Sequence, residues 1–436
     1  MNGRAVNYAA HTAGRPARPA RGVAVTGLGL VTPVGTSAAA VFGAMCEGRS
    51  GVSAPAPGDP LEGCLEVAGF SPPIDPAGLL PGPEARTVDR SIVMALKAAA
   101  DALADAGIEV GRDVDPYRIA VIVSNVGGSA TLEQQVLSRA ARGRLGVSPY
   151  LLSAVLPNMG AARIAIRHGI RGYSSSIATA CAAGAQSIGE ATRLLRADEA
   201  DVVVCGCSEA PLHPTFADAF GNARALARGW AGQPGAASRP FDRRRNGLVL
   251  GEGAGVLVLE RVAHADARGA AGYAGVLGWG ATNDAHHIMT PRADGEGAAA
   301  SLRRALADAD LAPGDVGYLN AHGTGTRLGD LAEATAIRLV FGEHGPPVSA
   351  TKAVTGHLLG ASGAVEAAVT AAALGRGLLP PTHNLEDVDP GCALDHVRGA
   401  PRAARAEAAV STSFGFGGHN VSLVLGAPGT RLVRRA

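Results

Sequence analysis

Length, composition and charge place the protein in the globular class. It has 436 residues, 47% of them apolar, and its 39 basic and 38 acidic residues give a formal net charge of +1. The 60 glycines and 27 prolines follow no Gly-X-Y period, which excludes a collagen-like or disordered chain. The balanced charge and the 4% aromatic content disfavour nucleic acid as a partner. No apolar run reaches the ~18 residues of a membrane span, so no membrane association is expected.

The chain ends and the cysteines indicate a cytoplasmic protein. Residues 1–21 contain four arginines, no acidic residue and no apolar signal-peptide core, so we predict a disordered N-terminal tail. Residues 428–436 are predicted to form a short C-terminal tail. The six cysteines lack C-x-x-C pairs and are too few for a disulfide framework, so we expect a reducing compartment and no metal site.

Strand-like and helix-like segments alternate along the chain. In chain order, the predicted elements are a strand at 22–29, a helix at 89–106, a strand at 118–125, a helix from Cys181 to about Arg196, and strands at 200–206 and 255–262. The strand segments lack polar alternation, which is typical of strands that are covered on both faces. The pattern therefore predicts an α/β fold.

The element order then repeats, which predicts an internal duplication. The matching segments are 96–128 with 302–325, and CAAGAQSIGE (181–190) with HLLGASGAVE (357–366). We predict two halves, 22–268 and 269–427. In this duplication Cys181 and His357 open equivalent helices, and pseudo-symmetry would bring the two helix starts together at the centre of the molecule.

Cys181 is the candidate nucleophile. It is predicted to lie where a strand ends and a helix begins, and the free N–H groups and dipole of a helix start lower a cysteine pKa. Its own N–H could also contribute to an oxyanion hole. A buried, inert cysteine is the alternative for this position. The remaining cysteines are interpreted as structural, namely Cys46, Cys64, Cys205, Cys207 and Cys392.

Two histidines lie in glycine-rich segments at predicted element ends. His322 stands in NAHGTGT after a strand, and His357 stands in TKAVTGHLLG at a predicted helix start, which disfavours imidazolium and keeps the ring neutral. A metal site built from Cys181 and these histidines stays open, although no i,i+3 or i,i+4 ligand pair supports it. His286 and His287 are adjacent in sequence and are not predicted to be ligands.

Four motifs in a fixed order resemble the elongating β-ketoacyl-[acyl-carrier-protein] synthases. They are ATACAAGAQSIGEA, NAHGTGT, TKAVTGHLLGASGAVE and SFGFGGHN, and the resemblance extends from Val23 to Gly426. It implies a thiolase-like fold with duplicated halves in a five-layered α-β-α-β-α arrangement, usually dimeric. It also implies an acyltransferase that condenses a Cys181-bound acyl chain with malonyl-acyl-carrier protein, with His322 and His357 stabilising the enolate.

The resemblance implies further site residues. The backbone N–H groups of Cys181 and Phe416 would form the oxyanion hole, with Phe416 also acting as a gate, and Lys352 and Glu366 would support the histidines. The remaining implied residues are Thr324 and Thr326 as contacts of the phosphopantetheine arm, Val126, Leu151 and Phe220 as lining of the acyl pocket, with Leu151 contributed by the other subunit, and Arg224 as a carrier-protein contact.

The resemblance implies acyl carrier protein as the partner, with substrates on its 4'-phosphopantetheine arm and no bound cofactor. The dimer would be a homodimer or a heterodimer with a chain-length-factor-like subunit.

The main alternative to fatty-acid elongation is a dedicated ketosynthase of a type II polyketide or polyene pathway. A non-catalytic partner subunit would lack Cys181, and a thiolase or CoA-primed starter synthase would not have His357 in TGHLLG. A cysteine hydrolase fits poorly, because Thr179 and Ala183 replace the glycines of a nucleophile elbow.

Overall fold

A computed structural model describes residues 22–125 and 128–430 of the chain, so the predicted N-terminal tail and Val126 lie outside the described residues, as do residues 431–436. The strands are β1 (Val23–Val31), β2 (Val52–Ser53), β3 (Ala68–Gly69), β4 (Ile119–Ser124), β5 (Ser174–Ser175), β6 (Val202–Glu209), β7 (Gly253–Arg261), β8 (Ala274–Asn283), β9 (Val316–Asn320), β10 (Val348–Ser349), β11 (Leu378–Leu379), β12 (Arg402–Ala403), β13 (Ala408–Gly415) and β14 (His419–Gly426).

The α-helices alternate with these strands. They are α1 (Ala38–Glu47), α2 (Gly82–Ala85), α3 (Arg90–Ala106), α4 (Ser129–Arg142), α5 (Leu151–Val155), α6 (Met159–His168), α7 (Ala183–Arg196), α8 (Pro214–Asn222), α9 (Val262–Ala267), α10 (Glu296–Asp308), α11 (Arg327–Phe341), α12 (Lys352–Thr355) and α13 (Ala361–Arg376). Within residues 22–125 and 128–430, no helix is both long enough and apolar enough to span a membrane.

Ten strands form one mixed sheet in the order β10-β9-β13-β14-β8-β1-β7-β6-β4-β5. In the first half, β7 is antiparallel to β1 and β6, whereas β4 is parallel to both β6 and β5. The second half repeats this pattern, with β14 antiparallel to β8 and β13, and β9 parallel to both β13 and β10. The halves join where β1 pairs with β8 at Val23–Val25. The predicted α/β fold with duplicated halves is confirmed.

Helices cover both faces of each half-sheet. Helix α3 packs on β1, β6 and β7, and α6 packs on β4 and α3, while α10 packs on β8 and β14 with α11 against it. Helices α7 and α13 lie between the half-sheets, since α7 contacts β4, β6 and β14, and α13 contacts β6, β7, β13 and β14. The result is the predicted five-layered α-β-α-β-α thiolase-like arrangement.

The two central helices approach each other through glycine. A β-carbon added to Gly184 would lie 2.6 Å from the carbonyl oxygen of Gly360, and one added to Gly363 would lie 2.9 Å from the amide nitrogen of Ala185. The Gly184 N–H also donates to the Gly360 carbonyl at 3.1 Å. Main-chain contact therefore sets the spacing of α7 and α13, and it brings the segments that precede both helices together, as the duplication predicted.

The predicted helix starts at Cys181 and His357 are wrong in detail. Cys181 lies in a 3-10 turn, Ala180–Ala182, and α7 begins at Ala183. His357 precedes the first residue of α13 by four positions. Its N–H donates to the Val249 carbonyl at 2.7 Å and its carbonyl accepts from the Gly251 N–H at 3.0 Å. This pairing with a distant segment holds His357 in an extended conformation.

Candidate active site

Cys181, His322 and His357 converge at the N-terminal ends of the central helices. His357 Nε2 lies 3.1 Å from Cys181 Sγ. The rings of His322 and His357 are edge-to-face, with centroids 5.3 Å apart. All three side chains are buried, and they come from the turn before α7, the loop after β9 and the segment between α12 and α13. The structure thus brings together the three residues that the sequence singled out.

The thiol of Cys181 is held in its neutral form. Burial raises the pKa of Cys181 to about 12, and the charge of Glu209 acts in the same direction. Lys352 and hydrogen bonds from the backbone N–H groups of Cys181 and Phe416 act in the opposite direction. The expectation that a helix start lowers this pKa is therefore wrong for the resting protein, because removal from water outweighs the local dipole. Both N–H groups act on the pKa of the Cys181 thiol, so they lie beside the atom that would carry a thioester.

Both histidines are neutral. Burial lowers the pKa of His322 and of His357 well below the usual range, and the positive charge of Lys352 lowers both further. The predicted neutral state is confirmed, but its main cause is burial rather than a helix end.

The hydrogen bonds of the two rings differ. His322 Nδ1 faces the Lys352 ammonium at 3.3 Å; an ammonium only donates, so Nδ1 accepts and Nε2 carries the proton. His357 Nδ1 lies 3.1 Å from the Ser362 hydroxyl, which can donate or accept. Nε2 of His357 can therefore take a proton from Cys181 or donate one to a bound carbonyl, whereas Nε2 of His322 is fixed as a donor.

Lys352 and Glu366 form a buried ion pair beside His322. Lys352 Nζ lies 2.6 Å from Glu366 Oε1 and donates to the His322 carbonyl at 2.5 Å. The residues are 1% and 2% exposed, and burial raises the pKa of Glu366 to about 7 against the opposing effect of Lys352. The pair thus fixes both the backbone and the tautomer of His322.

Two further residues that position the histidines were not identified from the sequence. Glu333 accepts the N–H groups of His322 at 2.8 Å and Gly323 at 2.7 Å, and Ser362 accepts the Leu358 N–H at 3.0 Å. The available signal for Glu333 was an acidic residue within the apolar stripe of α11, which buries Ala332, Ala334 and Ala336 around it.

A cavity of about 380 Å³ opens onto these side chains. The predicted residues among its lining are Cys181, His322, His357, Thr324, Thr326, Phe220, Phe416 and Arg224. The hydroxyls of Thr324 and Thr326 are 3.0 Å apart, and the ring of Phe416 stacks on Phe220 with centroids 6.1 Å apart. Arg224 is exposed. Leu151 lies on α5 and does not line this cavity. Across the described part of the chain, no cluster of three potential metal ligands occurs.

Comparisons with known proteins agree with this architecture. Residues 20–265 match the family "Beta-ketoacyl synthase, N-terminal domain" and residues 273–386 match "Beta-ketoacyl synthase, C-terminal domain". The chain is 40% identical over 404 residues to 3-oxoacyl-[acyl-carrier-protein] synthase 2 of Synechocystis sp., covering 92% of this chain and 97% of the relative. It is 39% identical over 408 residues to the enzyme of the same name from Vibrio harveyi, covering 93% and 98%.

Solved structures give the same result. The structure described as the ishigamide ketosynthase/chain length factor superimposes with a TM-score of 0.87 at 31% identity, over 94% of this chain and all of its own. A beta-ketoacyl synthase from Burkholderia phymatum superimposes with a TM-score of 0.86 at 34% identity, over 93% and 99% of the two chains. With both family domains and near-complete relatives matched, the chain belongs to the beta-ketoacyl synthase family.

Proposed function

We propose that this protein catalyses the decarboxylative Claisen condensation of an acyl chain bound to Cys181 with malonyl-acyl-carrier protein. The observation that carries this proposal is the approach of His357 Nε2 to Cys181 Sγ, at 3.1 Å, with the Nε2–H of His322 beside them in the same buried cavity. The full-length relatives named 3-oxoacyl-[acyl-carrier-protein] synthase 2 support it.

The first step is transfer of the acyl chain to Cys181. The sulfur attacks the thioester carbonyl and its proton passes to His357 Nε2. The phosphopantetheine sulfur then leaves and takes that proton from Nε2. The tetrahedral oxyanion, which forms on the thioester carbonyl next to the sulfur, would be held by the backbone N–H groups of Cys181 and Phe416. Because burial keeps the resting thiol neutral, deprotonation is coupled to substrate binding rather than completed beforehand.

The second step is decarboxylation of the malonyl group. Its carboxylate leaves as carbon dioxide, and the bonding electrons form a thioester enolate. The enolate oxygen would accept from Nε2–H of His322 and from Nε2–H of His357, which carries its proton on Nε2 when Nδ1 accepts from the Ser362 hydroxyl. Neutral donors favour this developing anion more than the ground-state carbonyl. The enolate carbon then attacks the acyl thioester, a carbon–carbon bond forms, and the Cys181 sulfur leaves as a thiolate that takes up a proton from solvent. The Lys352 charge favours the anionic state further.

The partner is an acyl carrier protein. Thr324 and Thr326 would hydrogen-bond its 4'-phosphopantetheine arm, and exposed Arg224 at the cavity would contact its acidic surface; no bound cofactor is needed, because side chains and the thioester supply the chemistry. One structural neighbour at 30% identity is a type II polyketide acyl-carrier protein in complex with its ketosynthase. We place the reaction in the cytoplasm.

A dedicated ketosynthase of a type II polyketide pathway is the second candidate. It is favoured by a TM-score of 0.86 to the type II PKS acyl-carrier protein and ketosynthase complex and of 0.87 to the ishigamide ketosynthase/chain length factor. The protein would act either as a homodimer or with a chain-length-factor-like subunit. Leu151 and Val126 would line the acyl pocket with Phe220.

Substitution of the nucleophile tests the proposed function. We expect Cys181→Ala to abolish the mass increase that acyl-acyl-carrier protein produces on the protein, because no other described cysteine lies beside a histidine pair. Intact-protein mass spectrometry measures this, and Cys64→Ala, which changes a half-buried cysteine, is the matched control. An acyl adduct that persists in Cys181→Ala would reject Cys181 as the nucleophile.

A further inference from the structure

A second polar cluster lies outside the residues used by the proposed reaction. Ser129 Oγ is 3.0 Å from His213 Nε2, and His213 Nδ1 is 2.7 Å from Glu133 Oε2. The other oxygen of Glu133 accepts from the Thr215 hydroxyl at 2.7 Å. His213 is 8% exposed. The first two turns of α4 and the start of α8 thus hold a serine, a histidine and a carboxylate in one hydrogen-bonded chain.

A row of rings connects this cluster to the Cys181 cavity. Phe416 stacks on Phe220, Phe220 lies 6.3 Å from Phe216, and Phe216 lies 5.1 Å from His213, between ring centroids. Phe216 and Phe220 pack against the same hydrophobic cluster that contains Cys181. His213, Phe216 and Phe220 therefore form one face of α8 that runs from the cavity to Ser129.

The row has the length of a medium acyl chain. Phe220 lines the cavity and His213 precedes it by seven residues, which corresponds to about 10 Å along a helix axis. A fully extended chain advances roughly 1.2 Å per bond, so about eight to ten carbons span this distance. A chain attached to Cys181 that displaced Phe416 and followed the rings would end at the Ser129 hydroxyl.

The Ser129 hydroxyl can make one more hydrogen bond in either protonation state of His213. With neutral His213, Nδ1–H donates to Glu133, Nε2 accepts from Ser129, and the Ser129 oxygen can accept from a ligand. With charged His213, Nε2–H donates to Ser129, whose own hydrogen can then go to a ligand. The cluster therefore suits either a hydroxyl or a carbonyl oxygen.

We propose that Ser129 and His213 form a polar end to the acyl-binding channel and select chains that carry an oxygen near that end over saturated chains. This inference rests on the proposed function and names its substrate class: acyl groups with a hydroxyl or keto oxygen about ten or more carbons from the thioester, since the path from Cys181 to Phe220 adds to the length of the ring row. A saturated end placed there would bury against Ser129 without a hydrogen bond, whereas an oxygenated end regains the hydrogen bond that it loses to water.

Acylation of Cys181 measures this selection directly. The protein would be mixed with equal concentrations of decanoyl and 10-hydroxydecanoyl pantetheine thioesters, and the two adducts would be counted by intact mass. We expect the hydroxylated chain to be favoured about fivefold, the effect of one net hydrogen bond. Equal labelling, or preference for the saturated chain, would overturn the inference while leaving the proposed function intact. Failure of Cys181 to take either chain would overturn both.

Two variants locate the preference. Ser129→Ala should abolish the preference for the hydroxylated chain, and His213→Leu should reverse it by extending the apolar wall. Ser138→Ala, on the same helix but bonded to the Gly146 carbonyl, is the matched control and should keep the preference. A preference that survives in Ser129→Ala would assign the selection to other residues and overturn the proposal.

Discussion

The two halves of the molecule have the same strand order but place different chemistry at the same point. In the first half the segment before the central helix supplies Cys181, and in the second it supplies His357. The residue before each has a left-handed backbone, with φ of 47° at Ala180 and 71° at Gly356. The duplicated scaffold therefore sets two reactive groups opposite each other, and the differences between the halves determine what each group does.

The largest difference lies at one helical position. Glu190 on α7 and Glu366 on α13 are equivalent in the duplication, yet Glu190 forms a partly exposed pair with Arg193, whereas Glu366 is buried with Lys352. The residue that matches Lys352 is Ser176, whose hydroxyl has no hydrogen-bond partner within the described residues. At these matching positions, Ser176 and Lys352, only the second half carries a buried cation, and it lies where the enolate would form.

The largest expected difference between the halves is the stability lost when each of these two glutamates is replaced. We expect Glu366→Gln to lower the free energy of unfolding by about 3–5 kcal/mol, because it leaves the Lys352 charge buried and unpaired. Glu190→Gln should change it by less than about 1 kcal/mol, as is typical of exposed pairs. Urea unfolding of both variants measures this. Equal losses of unfolding free energy in the two variants would mean that burial of the Lys352–Glu366 pair does not affect stability.

Loss of His322 should slow malonyl decarboxylation but not the acylation of Cys181. His322→Ala should lower the rate of malonyl decarboxylation roughly a hundred- to a thousandfold, the usual effect of removing one oxyanion donor, while acylation of Cys181 in the other half continues. Rates of carbon dioxide release and of acyl-adduct formation check this. His344→Ala, at an exposed histidine, is the control. If both rates fell together, His322 would act on the folding of the site as a whole.

The pH dependence of stability should report the neutral state of His357. Burial holds its folded pKa well below that of the unfolded chain, about 6.5. Below pH 6.5 the unfolded state binds a proton that the folded state does not, so this histidine costs up to about 1.4 kcal/mol per pH unit as the pH falls. His357→Gln should therefore gain stability relative to the unsubstituted protein between pH 7 and pH 5. The measurement is the free energy of unfolding of both proteins as a function of pH, and two parallel curves would contradict the prediction. The control is His344→Gln, at an exposed histidine, which should give a curve parallel to that of the unsubstituted protein.

Smaller effects should come from the two residues with positive φ. Gly356→Ala should cost about 1–3 kcal/mol, because φ of 71° with ψ of −173° is a conformation that only glycine adopts readily, and the new β-carbon would lie 3.0 Å from the Val249 carbonyl oxygen. Ala180→Gly should be nearly neutral, since relief of the strained conformation is offset by the greater freedom of glycine in the unfolded chain. Thermal or urea unfolding distinguishes the two. A large loss in Ala180→Gly would show that the Ala180 methyl group is itself needed for packing.

Sequence patterns predicted what is local and repeated. Apolar runs located β4, β6 and β7 within a few residues, and the matching segments around Cys181 and His357 predicted the duplication and the meeting of the central helices. Sequence patterns did not predict features that depend on residues distant in sequence. The extended backbone of His357 depends on Val249, and the raised pKa of Cys181 depends on burial by the whole fold. Glu333 was missed because its partners, the N–H groups of His322 and Gly323, belong to another element.

The glycine contact between α7 and α13 separates reaction geometry from substrate choice. Because Gly184 and Gly360 touch through their main chains, the distance between nucleophile and histidine does not depend on how side chains pack elsewhere. Residues on α8 or on the outer helices can therefore change size and polarity without moving the reacting atoms. Such a protein can change the acyl chains that it extends while the chemistry of extension stays constant. The positions least tolerant of substitution are then the glycines at the contact between α7 and α13.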